Sequence, residues 1–274
     1  MLEVNKPFAL SGRGAIVTGG AGILGRGFAK VLAANGAKVA VLDVNLKAVE
    51  ATVQALQREL PESEFLGLEC DVGDVEQVRE SVSRIVERFG GIHVLHNNAA
   101  SKTGSLENFF EPLETYKLDT WREVMSVNVD GMFLMAQAVG QQMLKQGKGG
   151  SIIQTASIYG VVGPDQRIYE GSKYMGRSIN TPAVYSVSKG AVIAFTKYLA
   201  AYWGKEGIRV NSLTPGGVDS GQNDAFSRRY SERVPLGRMA EPGELECALL
   251  FLASDASSYV TGQNLIVDGG LTAW

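Results

Sequence analysis

The chain has 274 residues, 45% of them hydrophobic and 20% charged, a profile that suits one large α/β domain with a substantial core. The formal net charge of −3 offers no basic surface for nucleic acid or an anionic membrane. No stretch approaches about 18 uninterrupted apolar residues, and Met1 to Arg13 lack the apolar run of a signal peptide, so a cytoplasmic protein with no nucleic-acid or membrane partner is expected. Cys70 and Cys247 show neither metal-ligand spacing nor a disulfide framework and are read as buried thiols. His93 and His96 share one strand and are read as structural, so no metal is expected.

Apolar runs alternate with helical patterns from end to end. Strand Ala15 to Val17 leads through a glycine-rich turn into a helix over Leu24 to Ala34, which Gly36 ends. Strand Lys38 to Val44 precedes a helix over Leu46 to Leu60, and strand Phe65 to Val72 a helix over Val75 to Phe89. Strand His93 to Asn97 precedes a long helix over Trp121 to Leu144, and strand Ser151 to Thr155 a second long helix over Ala183 to Gly204. Strand Ile208 to Leu213, a helix over Glu241 to Ala253 and strand Asn264 to Val267 complete the chain. Strict alternation of β and α elements predicts a single α/β domain over residues 1–274, a doubly wound parallel sheet of seven strands (Rossmann fold) flanked by helices. Three irregular stretches, 101–118, 163–182 and 217–235, each follow a strand, so they should rim a site at the carboxyl ends of the sheet.

The turn Thr18-Gly19-Gly20-Ala21-Gly22-Ile23-Leu24-Gly25 lies between the first strand and the first helix, where glycines let the backbone approach a pyrophosphate seated on the helix N-terminus. Asp43 ends the second strand, 18 residues beyond Gly25. An acid there accepts hydrogen bonds from ribose hydroxyls and repels a 2′-phosphate, and no arginine follows it directly; both points select NAD over NADP. Tyr185 and Lys189 stand at i and i+4 on one helical face, where a nearby ammonium favours the phenolate of a tyrosine whose ordinary pKa is about 10. Tyr169 and Lys173 repeat the same spacing.

With these residues assembled, the chain resembles the short-chain dehydrogenase/reductase family over about Gly12 to Gly270. The likeness rests on the Thr18 to Gly25 turn, Cys70-Asp71-Val72, Asn97-Asn98-Ala99, Asn128 within Val127-Asn128-Val129, Ser157, Tyr185 with Lys189, Asn211, Pro215-Gly216 and Asp268-Gly269-Gly270. Two positions depart from the family pattern: Ile23 stands at the second glycine of the turn, and Ala100 at the glycine that usually follows Asn-Asn-Ala. Tyr169, 12 residues after Ser157, has the family's usual serine-to-tyrosine spacing, whereas Tyr185 is 28 after it. The long helix and the Asn211 and Pro215-Gly216 register downstream select Tyr185/Lys189, so the chain carries an insertion between serine and tyrosine.

The resemblance implies NAD-dependent hydride transfer at a secondary alcohol or ketone, with Asn128, Ser157, Tyr185 and Lys189 catalytic. Tyr185 is the implied acid/base, Ser157 holds the substrate oxygen, Lys189 lowers the Tyr185 pKa and binds ribose, and Asn128 holds a relay water. The implied cofactor residues are Gly19, Gly22, Ile23, Leu24, Asp43, Asp71, Val72, Asn98, Ala99, Tyr185, Lys189, Pro215, Gly216 and Val218. The stretch Ser157 to Gly160 through Asp165 is similar to bacterial sugar and flagellin-modification oxidoreductases. Arg167, Arg177, Arg228 and Arg229, with Lys173 and Arg233, are candidate clamps for a carboxylate or phosphate, and with Gln166, Ser178, Asn180, Gln222 and Asn223 they point to a polyol, sugar or sugar acid. The resemblance also implies a homotetramer. An NADH-dependent reductase of acyl or other small ketones and a non-catalytic NAD-binding regulator stay open as alternatives.

Overall fold

Burial on both faces of the central strands sets the architecture. The structure, a computed structural model, describes residues 6–174 and 176–274, and the side chains of Tyr174 and Arg177 fall outside that description. β1 (Gly14–Thr18) is buried along its whole length. Its side chains alternate between faces, as a strand's must. Ala15 and Val17 belong to one apolar cluster and Ile16 to another. β2 (Lys38–Asp43), β3 (Phe65–Glu69), β4 (Val94–Asn97) and β5 (Gly150–Thr155) follow, then a two-residue hairpin, β6 (Lys173–Tyr174) with β7 (Arg177–Ser178), then β8 (Ile208–Pro215) and β9 (Asn264–Val267). The main sheet has seven strands in the order β3-β2-β1-β4-β5-β8-β9, every pair parallel. The strand order reverses between β1 and β4, the place where open α/β sheets bind ligands.

The cluster with Ala15 and Val17 is completed by α1 (Ile23–Ala34), α2 (Leu46–Glu59) and, later in the chain, the helix Glu246–Ala253. α3 (Val75–Phe89) builds the opposite layer with the two long helices that follow the short α4 (Leu106–Phe109) and α5 (Leu118–Met125). Those long helices are α6 (Met132–Gln146) and α7 (Ala183–Trp203); α8 (Asp224–Ser231) and α9 (Glu246–Ala253) close the count. Where the side chains permit it, ends are capped as expected: the Asp74 carboxylate accepts the Glu76 and Gln77 N–H groups at 2.9 and 3.1 Å, and Gly90 closes α3 in the left-handed region.

The structure departs from the sequence expectation in three places. The helix expected over 121–144 starts at Leu118 and is interrupted by a π-helical turn, Ser126–Gly131. The three irregular stretches carry short elements of their own: α4, the 3₁₀ turn Gln166–Tyr169 with the β6–β7 hairpin, and α8. Cys247 is exposed, since it lies on the outer side of α9, while Cys70 is buried as expected. Among the described residues no helix is long and apolar enough to cross a membrane, and no three His, Cys, Asp or Glu side chains gather as metal ligands would.

The layer under α6 and α7 depends on a close approach. A Cβ at Gly140 of α6 would stand 2.3 Å from the Trp203 indole of α7. Gly140→Ala should therefore cost about 1–3 kcal/mol and lower the melting temperature by several degrees. Gly163→Ala, with open space around its Cβ position, is the control and should leave melting unchanged. Equal melting of both variants in a thermal scan would contradict this packing.

Candidate active site

At the carboxyl end of β1, the turn into α1 is built for close approach. Gly19 has φ +60°, and a Cβ there would press on the Ala99 backbone at 2.9 Å. Gly22 caps α1 without any side-chain hydrogen bond, so the first N–H groups of the helix stay open to an anion. Ile23 is 65% exposed at that helix start, and Leu24 packs toward the core. Thr18 Oγ accepts the backbone N–H groups of Asn98 and Ala99, both at 3.0 Å, and the Asn98 amide donates to the Thr18 and Gly19 carbonyls at 3.2 and 3.3 Å. Asn98 and Ala99 thus brace the turn. At the end of β2, the half-buried Asp43 carboxylate accepts the Ala21 and Asn45 N–H groups, each at 3.3 Å. Asp71 is exposed and accepts the Gly73 N–H at 2.9 Å, while Val72 is buried against Gly131. Beyond β8, Gly216 donates to the Val267 carbonyl at 2.9 Å and Val218 bridges to Ala240.

Past the end of β5, Ser157 begins a 3₁₀ turn, Ile158–Gly160, and its Oγ accepts the Tyr159 N–H at 3.2 Å. Gly160 lets this turn rest directly on α7: a Cβ would lie 2.6 Å from the Lys189 carbonyl carbon. That contact puts Ser157 beside Tyr185, and both line the same cavity. Lys189 is only 2% exposed and donates from Nζ to the Thr155 carbonyl at 2.8 Å. Burial pulls its ammonium down to a pKa of about 8. Its Nζ lies 5.9 Å from the Tyr185 ring centroid. Lys189 was expected to lower the Tyr185 pKa, yet here burial raises it; the Ser157 hydrogen bond pulls the other way, and Tyr169 adds to the rise. The difference arises because Tyr185 lies in a partly dehydrated wall, which disfavours a phenolate.

Asn128 sits on the π turn, fully buried. Its Oδ1 accepts the Ser101 N–H at 2.8 Å and its amide donates to Ser188 Oγ at 3.3 Å. Ser188 in turn donates to the Tyr185 carbonyl at 2.8 Å, so Asn128 ties the turn of α7 that bears the tyrosine and lysine to the loop after β4. π turns are frequent at functional sites. One residue escaped the sequence reading: Thr155, whose carbonyl holds Lys189 and whose Oγ1 lies 2.8 Å from Nε2 of His96, a histidine read from sequence as structural. Burial, and then the charge of Lys189, bring His96 down to about 3, leaving it neutral beside the ammonium. The placement of Thr155 two positions before Ser157 was the available signal.

A cavity of about 540 Å³ opens over Ser157 and Tyr185, roofed by the insertion and by α8. Of the arginines proposed as clamps, Arg167, Arg228, Arg229 and Arg233 do not line it. Arg167 pairs with Asp165 at 2.8 Å, Arg233 reaches the same carboxylate at 3.2 Å, and Arg229 bonds the Glu170 carbonyl. Arg228 is exposed on α8 and does not line the cavity, and the Arg177 side chain lies outside the described residues. Lys173 does line it, as does Lys102. Tyr169 ends a 3₁₀ turn and Lys173 starts β6, so that pair shares no helix.

This geometry has counterparts. A family model described as Enoyl-(Acyl carrier protein) reductase matches residues 19–272. D-threitol dehydrogenase of Mycolicibacterium smegmatis is 34% identical over 280 residues, covering 99% of this chain and 97% of that protein. 2,5-Dichloro-2,5-cyclohexadiene-1,4-diol dehydrogenase of Sphingobium indicum is 38% identical over 272 residues, covering 96% of this chain and 98% of that one. The crystal structure of a gluconate 5-dehydrogenase from Burkholderia cenocepacia in complex with NADP and tartrate superposes with a TM-score of 0.86 at 33% identity, over 99% of this chain and 100% of that one. Sheet order, glycine turn and sequence agree: the chain belongs to the short-chain dehydrogenase/reductase family.

Proposed function

We propose that the protein is an NAD-dependent dehydrogenase that oxidises a secondary hydroxyl of a polyol or sugar, with Tyr185 as general base. The observation that carries this reading is that Ser157 and Tyr185 line one cavity together, with Lys189 buried one helical turn from Tyr185 and held by the Thr155 carbonyl. The residues around the β1 turn fit a nicotinamide dinucleotide. Gly19 and Gly25 leave a cradle that a Cβ would fill, 2.1 Å from the Gly19 carbonyl oxygen in the case of Gly25, and the uncapped start of α1 suits a pyrophosphate. Gly22, Ile23 and Leu24 shape that cradle; Asp71 and Val72 would hold the adenine end, and Asn98, Ala99, Pro215, Gly216 and Val218 the nicotinamide half. Bound there, the nicotinamide supplies the hydride acceptor.

The remaining chemistry belongs to the side chains. Ser157 donates to the substrate oxygen and stabilises charge growing on it. Tyr185 takes the hydroxyl proton. Lys189, one helical turn further on, favours the phenolate and reaches the ribose hydroxyls. Asn128 holds the turn of α7 bearing both residues against the loop after β4. Asp43 supports NAD over NADP: its carboxylate is half-buried at the end of β2, Val44 and Asn45 follow it, and a 2′-phosphate brought there would meet a like charge. We also read the chain as a homotetramer, because α6 and α7 expose Phe133, Leu144, Tyr198 and Tyr202 together.

Tyr185→Phe should lower kcat by at least about 100-fold while NADH binding, followed by fluorescence, stays within a factor of two. Retained turnover would remove the tyrosine mechanism. Oxidation should speed up with pH as the Tyr185–Lys189 pair loses a proton. Lys189→Met should move that rising limb to higher pH, because the ammonium that favours the phenolate is gone. A limb left in place would exclude that role for Lys189. Asp43→Ala should lower kcat/KM for NAD about tenfold or more and narrow the preference over NADP; a wild-type enzyme that prefers NADP would overturn the assignment of Asp43. Light scattering should report four chain masses, and a monomer would refute the tetramer.

A further inference from the structure

The cavity over Ser157 and Tyr185 is walled largely by carbon. Phe109, Phe110, Ile158, Ile179, Phe226 and Met239 line it, together with the rings of Tyr159, Tyr169 and Tyr230. The tyrosine hydroxyls are already committed. Tyr169 OH lies 2.6 Å from Thr181 Oγ1 and also bonds Tyr159, and Tyr230 OH accepts the Gly217 N–H. The polar side chains that seemed from sequence to await a sugar are partly committed too. Gln222 spends its amide on Val218 and Ser220. Asn180 donates to the Phe110 carbonyl at 2.7 Å. Asn223 Oδ1 accepts from Ser172 and from the Phe226 N–H. The polar part of the lining then comes down to Asn180, Asn223, Lys102 and Lys173, beside Ser157 and Tyr185.

An open-chain polyol carries a hydroxyl on every carbon and, when extended, turns hydroxyls toward every wall. Each hydroxyl buried against carbon without a partner weakens binding. A six-membered ring with its hydroxyls near the equator places C–H bonds on two flat faces and gathers the hydroxyls on the rim. The faces match aromatic walls, and the rim matches a few convergent polar groups. Resting on the dehydrogenase reading above, we propose that the substrate is a closed-ring alcohol, a cyclic polyol or pyranose, and that Tyr169 of the insertion is a specificity-determining residue that presents an aromatic wall to the ring. Tyr169 stacks on Phe226 of α8 with centroids 5.3 Å apart and planes 28° apart. It therefore joins the insertion to the lid and fixes the width of the cavity beside Tyr185.

The test is initial-rate NADH formation by the purified full-length enzyme with NAD and two substrate sets. The ring set is cis-1,2-cyclohexanediol, myo-inositol and D-galactose, and the open-chain set is erythritol, threitol and D-arabinitol. The best ring substrate should exceed the best open-chain one in kcat/KM by about tenfold or more. Tyr169→Phe should keep that ratio, whereas Tyr169→Leu and Tyr169→Ala should reduce it at least threefold, with NADH binding unchanged as the sign of an intact fold. Open-chain turnover equal to or better than ring turnover would overturn the ring inference and leave the dehydrogenase reading standing. An unchanged ratio in folded Tyr169→Leu would overturn the role of Tyr169. Absence of turnover in both sets by enzyme that binds NADH would overturn the polyol and sugar reading together with the inference built on it.

Discussion

An ammonium sealed from water needs an acceptor, and that need organises the site. Lys189 finds its acceptor in the Thr155 carbonyl at the end of β5. A buried charge left without a partner is strongly destabilising, so the position of α7 across the carboxyl end of β5 follows from the position of this one nitrogen. Tyr185, one turn earlier on α7, is thereby carried over Ser157, which follows Thr155 by two residues. Gly160 lets the serine turn close onto the helix, because a side chain there would press on the Lys189 backbone. His96, bonded to the same threonine, is neutral, so the ammonium has no second positive charge beside it.

The roof obeys a different logic. Charged residues in the insertion and in the segment bearing α8 pair with each other rather than with a ligand: Asp165 draws in Arg167 and Arg233, and Glu170 holds Arg229. Single exposed pairs of this kind contribute little to stability. Their effect here is positional, since they fasten two long loops, distant in sequence, into one cover. Ser172 to Asn223 and Tyr169 on Phe226 join the same two loops at the cavity wall. The cavity keeps a largely apolar lining because Arg167, Arg229 and Arg233 are engaged outside it, and Lys102 and Lys173 bring the ammoniums that remain in its wall.

The strands and their parallel, doubly wound arrangement were legible because a buried parallel strand writes itself as an apolar run, and a glycine-rich turn marks the carboxyl end of the first. Tyr185 was separable from Tyr169 for a physical reason as well: Pro182 can start a helix but not sit inside one, and a helix long enough to pack against β5 and β8 runs only downstream of it. The π turn under Asn128 was not legible. Its extra residue per turn leaves the apolar spacing of the flanking helices almost unchanged, and only the three-dimensional contacts with Ser101 and Ser188 reveal its use. The roles of the arginines were equally hidden. An arginine in a loop reads the same whether its acid lies on a substrate or on another loop 60 or so positions away, as for Arg229 and Glu170.

The same buried ammonium sets a tension between stability and chemistry. Lys189 falls from an ordinary value of 10.5 to about 8 on folding, so between those values the unfolded chain holds a proton that the folded one has released. Stability therefore rises as pH climbs through that window, and below about pH 8 the fold carries the full cost of the buried charge, about 3 kcal/mol by the size of the shift. Near neutral pH, where the ammonium is present to favour a Tyr185 phenolate, the protein bears that cost undiminished. A hydrophobic residue at position 189 would relieve it, and would also take away the only cation in this structure that is buried beside both Tyr185 and Ser157 among the described residues. On the proposed mechanism, the arrangement trades fold stability for a proton acceptor in working position.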